Sequence, residues 1–352
     1  MYKSRSLLTA FSFVLAVSAL TGCSSATANT QETASSTAPA TVSAEVSETE
    51  TIPEQANSEP FSVVCTIFPE YDWVKEILGG HADNAEITYL LDNGVDLHSY
   101  QPTTDDIMKI SACDLFVYVG GESDEWVEDA LAEATNKDMK VIGLMDVLGD
   151  SAKVEELKEG MQESEHEHEH EEDEIEYDEH VWLSLKNAKV LCAEIEKNIE
   201  AIDPANAADY KANLDSYTAK LSDLDSNFQT LVDASSVKTL VFGDRFPFRY
   251  FVDDYSLDYY AAFIGCSAET EASFETIAFL ADKVKELDCD TVFTLENSDK
   301  SIAKTIISTS GKSVDIAELN SLQSVSDDEI AGGASYLSLM QKNYDVLSDV
   351  LK

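Results

Sequence analysis

From Phe61 to Met145 short apolar runs alternate with amphipathic stretches, and this alternation limits the fold more than any other feature of the chain. Ser62–Phe68, Ile87–Leu91, Leu115–Val119 and Val141–Met145 read as strands. Pro69–Leu78, Thr103–Ala112 and Glu125–Ala134 read as the helices between them, the first opened by a proline in its first turn. Strands separated by helices predict a parallel sheet with helices on its faces. The pattern stops at Gly149–Glu179, an acidic, histidine-bearing stretch with almost no apolar residues, which is expected to be a mobile loop.

Regular structure resumes with a helix over Leu183–Ile202. Asp203-Pro204 breaks it, the aspartate serving as N-cap and the proline as first residue of a new helix. That helix carries Tyr210, Leu214, Tyr217, Leu221, Leu224, Phe228 and Leu231, a four-three spacing that defines one apolar stripe. At roughly 30 residues it would be about 45 Å long. A coiled-coil dimer is one reading, but two tyrosines on the stripe suit packing within the chain better than a zipper seam. A monomer is expected. Strands then return at Thr239–Phe242, Tyr259–Ile264, Thr291–Leu295 and Val314–Ile316, with helices at Phe274–Leu287, Lys300–Ser308 and a last one ending at Lys352. The expected class is α/β: two lobes, each a mainly parallel sheet flanked by helices, joined by one long rigid helix. The ligand cleft lies between them at the strand C-termini. The boundaries read as a first lobe over 61–183 (acidic loop 148–179), connecting helices over 184–235 and a second lobe over 236–352.

The first sixty residues carry different information. Lys3 and Arg5 precede an uncharged apolar stretch, Leu7–Leu20, that is short for a permanent membrane span. It ends in Leu20-Thr21-Gly22-Cys23, which resembles the lipobox of bacterial lipoproteins, where the cysteine is acylated and becomes the new N-terminus. Residues 1–22 are therefore expected to be a signal peptide and Cys23 the lipidation site. Residues 23–60 are rich in Ser, Thr, Ala and Glu, with too little apolar surface to fold, and should form a flexible spacer. The expected location is extracytoplasmic, anchored by lipid to the cell membrane.

With 68 acidic against 23 basic residues the formal net charge is -45. Such a surface repels nucleic acid and anionic headgroups and concentrates cations. Nucleic-acid binding is excluded on this ground. No His-Glu-x-x-His or Gly-x-Ser-x-Gly occurs, and Gly311-Lys312-Ser313 has Ile306 where a phosphate loop needs its earlier glycine. No enzymatic activity is expected. Of six cysteines, Cys65, Cys113, Cys192, Cys266 and Cys289 remain beside Cys23, without metal-type spacing. Cys65 and Cys113 read as core thiols, and a Cys266–Cys289 bridge is one reading that nothing in the sequence requires.

The six histidines are the informative residues. His81 lies in a polar turn. His98 lies in a loop after a strand, within Gly94–Thr103, and His180 stands between the acidic loop and the next helix. Two imidazoles at one edge of a lobe form a candidate metal pair.

Thr66-Ile67-Phe68-Pro69-Glu70-Tyr71-Asp72-Trp73 resembles the first strand and helix of the zinc and manganese receptors of bacterial ABC importers. His98-Ser99-Tyr100-Gln101-Pro102-Thr103 resembles their His-x-Tyr-x-Pro-Thr loop, and Asp114–Gly121 with Trp126 another of their stretches. Asp178–Leu183 is similar to the segment bearing their second histidine, and the Asp203-Pro204 break and the Tyr336, Met340, Asn343 and Tyr344 helix continue the likeness to Lys352. The resemblance implies a lipid-tethered receptor that binds a divalent metal between two lobes and delivers it to a membrane permease, with His98 and His180 as first-lobe ligands. It also exposes a departure. Where the family places a histidine or glutamate after the strand Leu240-Val241-Phe242, this chain has Gly243, and the usual acidic fourth ligand falls near Asn320. Glu296, then Asp244, are the candidate replacements, with Glu318 nearby; Arg245 and Arg249 would compete for such carboxylates. His166, His168 and His170 alternate with glutamates in the acidic loop and would gather metal weakly. Imidazole ligands favour zinc over manganese as the transported ion. The alternatives are a surface adhesin on the same scaffold with an altered or vestigial metal site, a manganese or iron receptor, and, third, a metallohydrolase for which no general base is identified.

Overall fold

The computed structural model describes residues 60–162, 176–267 and 271–352. The expected signal peptide, Cys23, the spacer up to residue 59, and His166, His168 and His170 lie outside them.

The first lobe contains β1 (Phe61–Cys65), α1 (Phe68–Leu78), β2 (Ala85–Tyr89), α2 (Thr104–Ala112), β3 (Leu115–Tyr118), α3 (Trp126–Ala132) and β4 (Lys140–Gly143). Its four strands form one parallel sheet in the order β2-β1-β3-β4. The central strands β1 and β3 are apolar runs because helices cover both their faces. The strand order reverses between β1 and β3, so the loops leaving their C-terminal ends diverge and open a crevice. A capping box starts α2: Thr103 Oγ1 accepts from Asp106 N, and Asp106 Oδ2 accepts from Thr103 N. That box fixes the downstream end of the His98 loop.

A short helix α4 (Leu144–Leu148) follows β4. The stretch expected to be a mobile loop is anchored at both described ends. Val154 bridges Tyr177, Lys153 N donates to Tyr250 Oη at 2.9 Å, and Gln162 N donates to Ala262 O at 2.9 Å. Its acidic residues supply ion pairs to the second lobe, as in Arg249–Glu156 at 3.5 Å.

Ser184 caps α5 (Leu185–Ile202) by accepting from Asn187 N. The break at Asp203-Pro204 is present, Asp203 accepting from Tyr210 Oη at 2.6 Å, and α6 runs over Ala207–Ala234, 28 residues. Its buried stripe is Tyr210, Leu214, Tyr217, Leu221, Leu224, Phe228 and Val232. The last step is four residues rather than three, so Val232 turns inward and Leu231 is only half-buried. Each buried side chain of this kind stabilises by about 1.5–3 kcal/mol.

The second lobe contains β5 (Thr239–Val241), β6 (Arg245–Phe246), α7 (Arg249–Tyr255), β7 (Asp258–Tyr260), β8 (Phe263–Ile264), α8 (Phe274–Glu286), β9 (Thr291–Leu295), α9 (Ser301–Ser310), β10 (Asp315–Leu319), α10 (Asp327–Ala331) and α11 (Tyr336–Val350). Its strands pair in parallel as β9 with β10, β5 with β7 and β6 with β8. A bridge from Phe242 to Phe293 links the first two pairs. The strand expected over Tyr259–Ile264 is broken at Ala261-Ala262, where the chain changes partner. Phe242 N bonds Tyr260 O, whereas Ala262 N bonds Asp244 O.

One apolar core runs from β1 through α5, α6 and α11 to Phe246 and Tyr259, and a smaller one lies under α8 and α9. The C-terminal helix closes onto the first lobe: Asp72 Oδ2 accepts from Tyr336 N at 2.8 Å, and Tyr336 Oη donates to Trp182 O at 2.6 Å. Among the described residues no helix is long and apolar enough to cross a membrane.

Candidate metal centre

His98 sits in a turn of 3-10 helix, Leu97–Ser99, between β2 and α2. Asp96 starts the turn by accepting from His98 N through Oδ1 at 3.0 Å. Its Oδ2 accepts from Arg245 of the second lobe at 2.5 Å. Burial opposes ionisation of Asp96, but the guanidinium holds its carboxyl below the usual range. His180 is fully buried at the start of a second 3-10 turn, Val181–Leu183, that leads into α5. Asp178 Oδ1 accepts from both His180 N, at 2.9 Å, and His180 Nδ1, at 3.1 Å.

The two rings meet through their Nε2 atoms, 3.2 Å apart. Asp178 is an acceptor, so His180 carries its proton on Nδ1 and presents a lone pair at Nε2. On the far side of His98, Nδ1 lies 2.7 Å from Ser123 Oγ and 3.5 Å from Glu179 Oε2. Gln323 Nε2 points at His98 Nε2 from 3.4 Å. Each imidazole therefore has its outer nitrogen against oxygen and its inner nitrogen facing the other ring. A carboxylate behind a histidine is the usual support of a metal-bound imidazole. Two nitrogens on a tetrahedral zinc stand about 3.4 Å apart, so the observed spacing is nearly that of the bound state. Burial, and next the neighbouring His180, hold the His98 imidazole well below its ordinary value, leaving it neutral and able to ligate.

A third group joins them. Cys266 Sγ and the two imidazole nitrogens all lie within 4.8 Å of one another. It is the one such cluster of histidine, cysteine and carboxylate groups among the described residues. Gly265 brings the backbone against His180: a Cβ there would stand 2.9 Å from Cε1 of the ring. Cys266 N donates to Glu155 Oε1 at 3.3 Å. The cysteines described are free thiols, Cys266 and Cys289 included, and Cys65, Cys113 and Cys192 are buried.

The carboxylates proposed from sequence are not part of this cluster. Glu296 accepts from Ser321 N at 2.7 Å and from Ser321 Oγ at 2.5 Å, and burial pushes its carboxyl up. Ser321 O in turn accepts from Trp182 Nε1, beside His180, so Glu296 holds the turn that carries Gln323. Asp244 accepts from Leu295 N at 3.2 Å and from its neighbour Arg245 N at 2.9 Å. With Arg245 and Asp96 the two carboxylates line a polar cavity of about 470 Å³, which neither His98 nor His180 lines. Glu318 pairs with Lys300 at 3.0 Å. Gly243 cannot carry a ligand, because a Cβ there would stand 2.6 Å from the Cα of Ala303. Asn320 is taken up by Asn343, whose amide donates to Asn320 O at 2.8 Å.

Two α/β lobes around a buried pair of converging imidazoles define the class of two-lobed cleft receptors. The comparisons with known proteins then give the family. Residues 63–350 match the family described as zinc-uptake complex component A, periplasmic (ZnuA), and the chain belongs to it. It is 30% identical over 298 residues to the high-affinity zinc uptake system protein ZnuA of Bacillus subtilis, covering 84% of this chain and 89% of that protein. It is 28% identical over 289 residues to zinc-binding protein AdcA of Streptococcus pyogenes serotype M6, covering 81% of this chain. The match spans only about half, 55%, of the length of AdcA. Among solved structures, the Zn(II)-bound ZnuA-like domain of Streptococcus pneumoniae AdcA superposes with a TM-score of 0.64 at 27% identity, covering 83% of this chain and 99% of that one.

Proposed function

We propose that this chain is an extracytoplasmic receptor that captures a zinc ion in its cleft and hands it to an ABC-type membrane permease for uptake. The zinc is cargo, and the protein performs no reaction on it. The observation that carries this proposal is the pair of Nε2 atoms 3.2 Å apart, each ring supported from behind by an oxygen. The relatives' names, zinc uptake and zinc-binding proteins, point the same way. Neutral imidazoles in a buried site favour zinc, whereas manganese is better served by carboxylates. Residues 1–22 would be removed, Cys23 would carry the lipid, and 23–60 would let the receptor reach its permease. The histidines at 166, 168 and 170 would gather metal near the cleft.

The test is competitive zinc titration of the purified full chain. About one tight site per chain is expected, with His98→Ala and His180→Ala each weakening it by at least about 100-fold. Parent-like affinity in both variants would overturn the assignment of these histidines.

A further inference from the structure

Resting on that receptor function, we infer that Cys266 is the second lobe's metal ligand, a thiolate standing in for the side chain that Gly243 lacks. Three observations carry it. The sulfur and one ring nitrogen of each histidine lie within 4.8 Å of one another, a span that one ion with bonds of about 2.0–2.3 Å bridges after small adjustments. Gly265 is the residue that allows this approach, since any side chain there would press on the His180 ring. Gln323, buried to 2% exposure, aims its amide at the same point, and its Oε1 has no hydrogen-bond partner. A buried amide oxygen left unpartnered, on a side chain whose nitrogen already faces His98, marks space for a ligand rather than packed protein.

The backbone around Cys266 is tied to the His98 loop. Arg245 donates to Ser267 O at 3.3 Å and, with its other nitrogen, to Asp96 beside His98. One guanidinium thus spans the loop bearing the first-lobe histidine and the loop bearing the cysteine. On binding, the metal–sulfur bond replaces the S–H bond and the proton passes to solvent; no oxidant or reductant takes part. The chemical consequence is selectivity. Two imidazoles and a thiolate make a borderline-soft set that suits zinc and rejects manganese, which prefers hard oxygen ligands.

Cobalt(II), a spectroscopic substitute for zinc, tests this with the full chain under reducing conditions. The parent should show sulfur-to-cobalt charge-transfer absorption in the near ultraviolet, and Cys266→Ser should lose that band while retaining the visible bands of bound cobalt. Zinc affinity of Cys266→Ser should fall by at least about 100-fold, since loss of an outer partner alone costs 10- to 100-fold. A second measurement needs no variant: zinc should protect Cys266 of the parent from alkylation, read by site-resolved mass spectrometry, and leave Cys289 unprotected. Cobalt bound without the charge-transfer band, or zinc bound without protection of Cys266, overturns the cysteine assignment and leaves the receptor standing. A parent chain that binds neither ion overturns both.

Discussion

The two lobes build their halves of the site in opposite ways. The first uses a regular four-stranded sheet, and its histidines sit in or just before 3-10 turns beyond it, His98 backed by Ser123 of another loop and His180 by Asp178 two residues before it. The second breaks its strands into two- to five-residue pieces that change partner at Ala261-Ala262, and it places Cys266 by close backbone approach at Gly265. A regular sheet fixes where its loops begin, so replacing one ligand on those loops should leave the frame intact. A fragmented sheet positions them by contact, so small changes in volume propagate.

The largest effect should therefore come from a change that removes a first-lobe ligand: His180→Ala should abolish tight zinc binding, by at least about 100-fold in competition with a chelator, with the circular dichroism spectrum unchanged. Asp178→Asn should come next. The amide still accepts one bond but loses the charge that favours the Nδ1–H tautomer, and affinity should drop about 10- to 100-fold. An unchanged affinity would break the idea that the first lobe works through supported imidazoles.

Gly243→Ala sharpens the contrast from the other side. Its methyl would meet Ala303 Cα at 2.6 Å, and overpacking of this kind costs about 1–3 kcal/mol. A lowered melting temperature in urea or heat is expected; none would mean that α9 yields freely.

Much of the first lobe was legible because its short apolar runs alternate regularly with amphipathic helices, and the loop positions of His98 and His180 followed from that alternation. The two-residue strands β6 and β8 were not, since periodicity needs length to declare itself. Cys266, proposed above as a ligand, carries no such signal either. The histidines grouped with it lie more than 80 residues away, so no local spacing announces it, whereas Glu296 and Asp244 stand out as carboxylates near strand ends. Their carboxylates bond Ser321 and Leu295, and that assignment depended on which way each strand end faced.

A smaller effect concerns Glu70, which accepts from Thr66 N and Ile67 N at the start of α1. Burial, then the charge of Asp124, pushes its carboxyl up to about 8. The folded state holds this proton more tightly than the unfolded chain. Its contribution to stability is thus full below the ordinary value of 4.5 and is lost as pH rises through 8. In metal-free protein, Glu70→Gln should flatten the decline of melting temperature across that window; parallel pH profiles would contradict it. Smallest of all should be the change in zinc affinity for Glu296→Gln and Asp244→Asn, within a few-fold of the parent by the same titration. A hundred-fold loss in either would return that carboxylate to the coordination set and blur the difference between the lobes.

The apolar core that passes unbroken from β1 through α6 and α11 into the second lobe has a kinetic meaning. Parting the lobes as rigid halves would pull Trp73 of the first lobe away from Tyr336 of the second, whose rings stand 5.1 Å apart in that core, and exposing such rings is costly. For an ion bound as proposed above, local opening of the loops that carry His98 and Cys266 is then the expected route, while the body stays shut. On that reading escape would be the slow step, residence time the quantity open to tuning, and an unloading partner would act on the loops themselves.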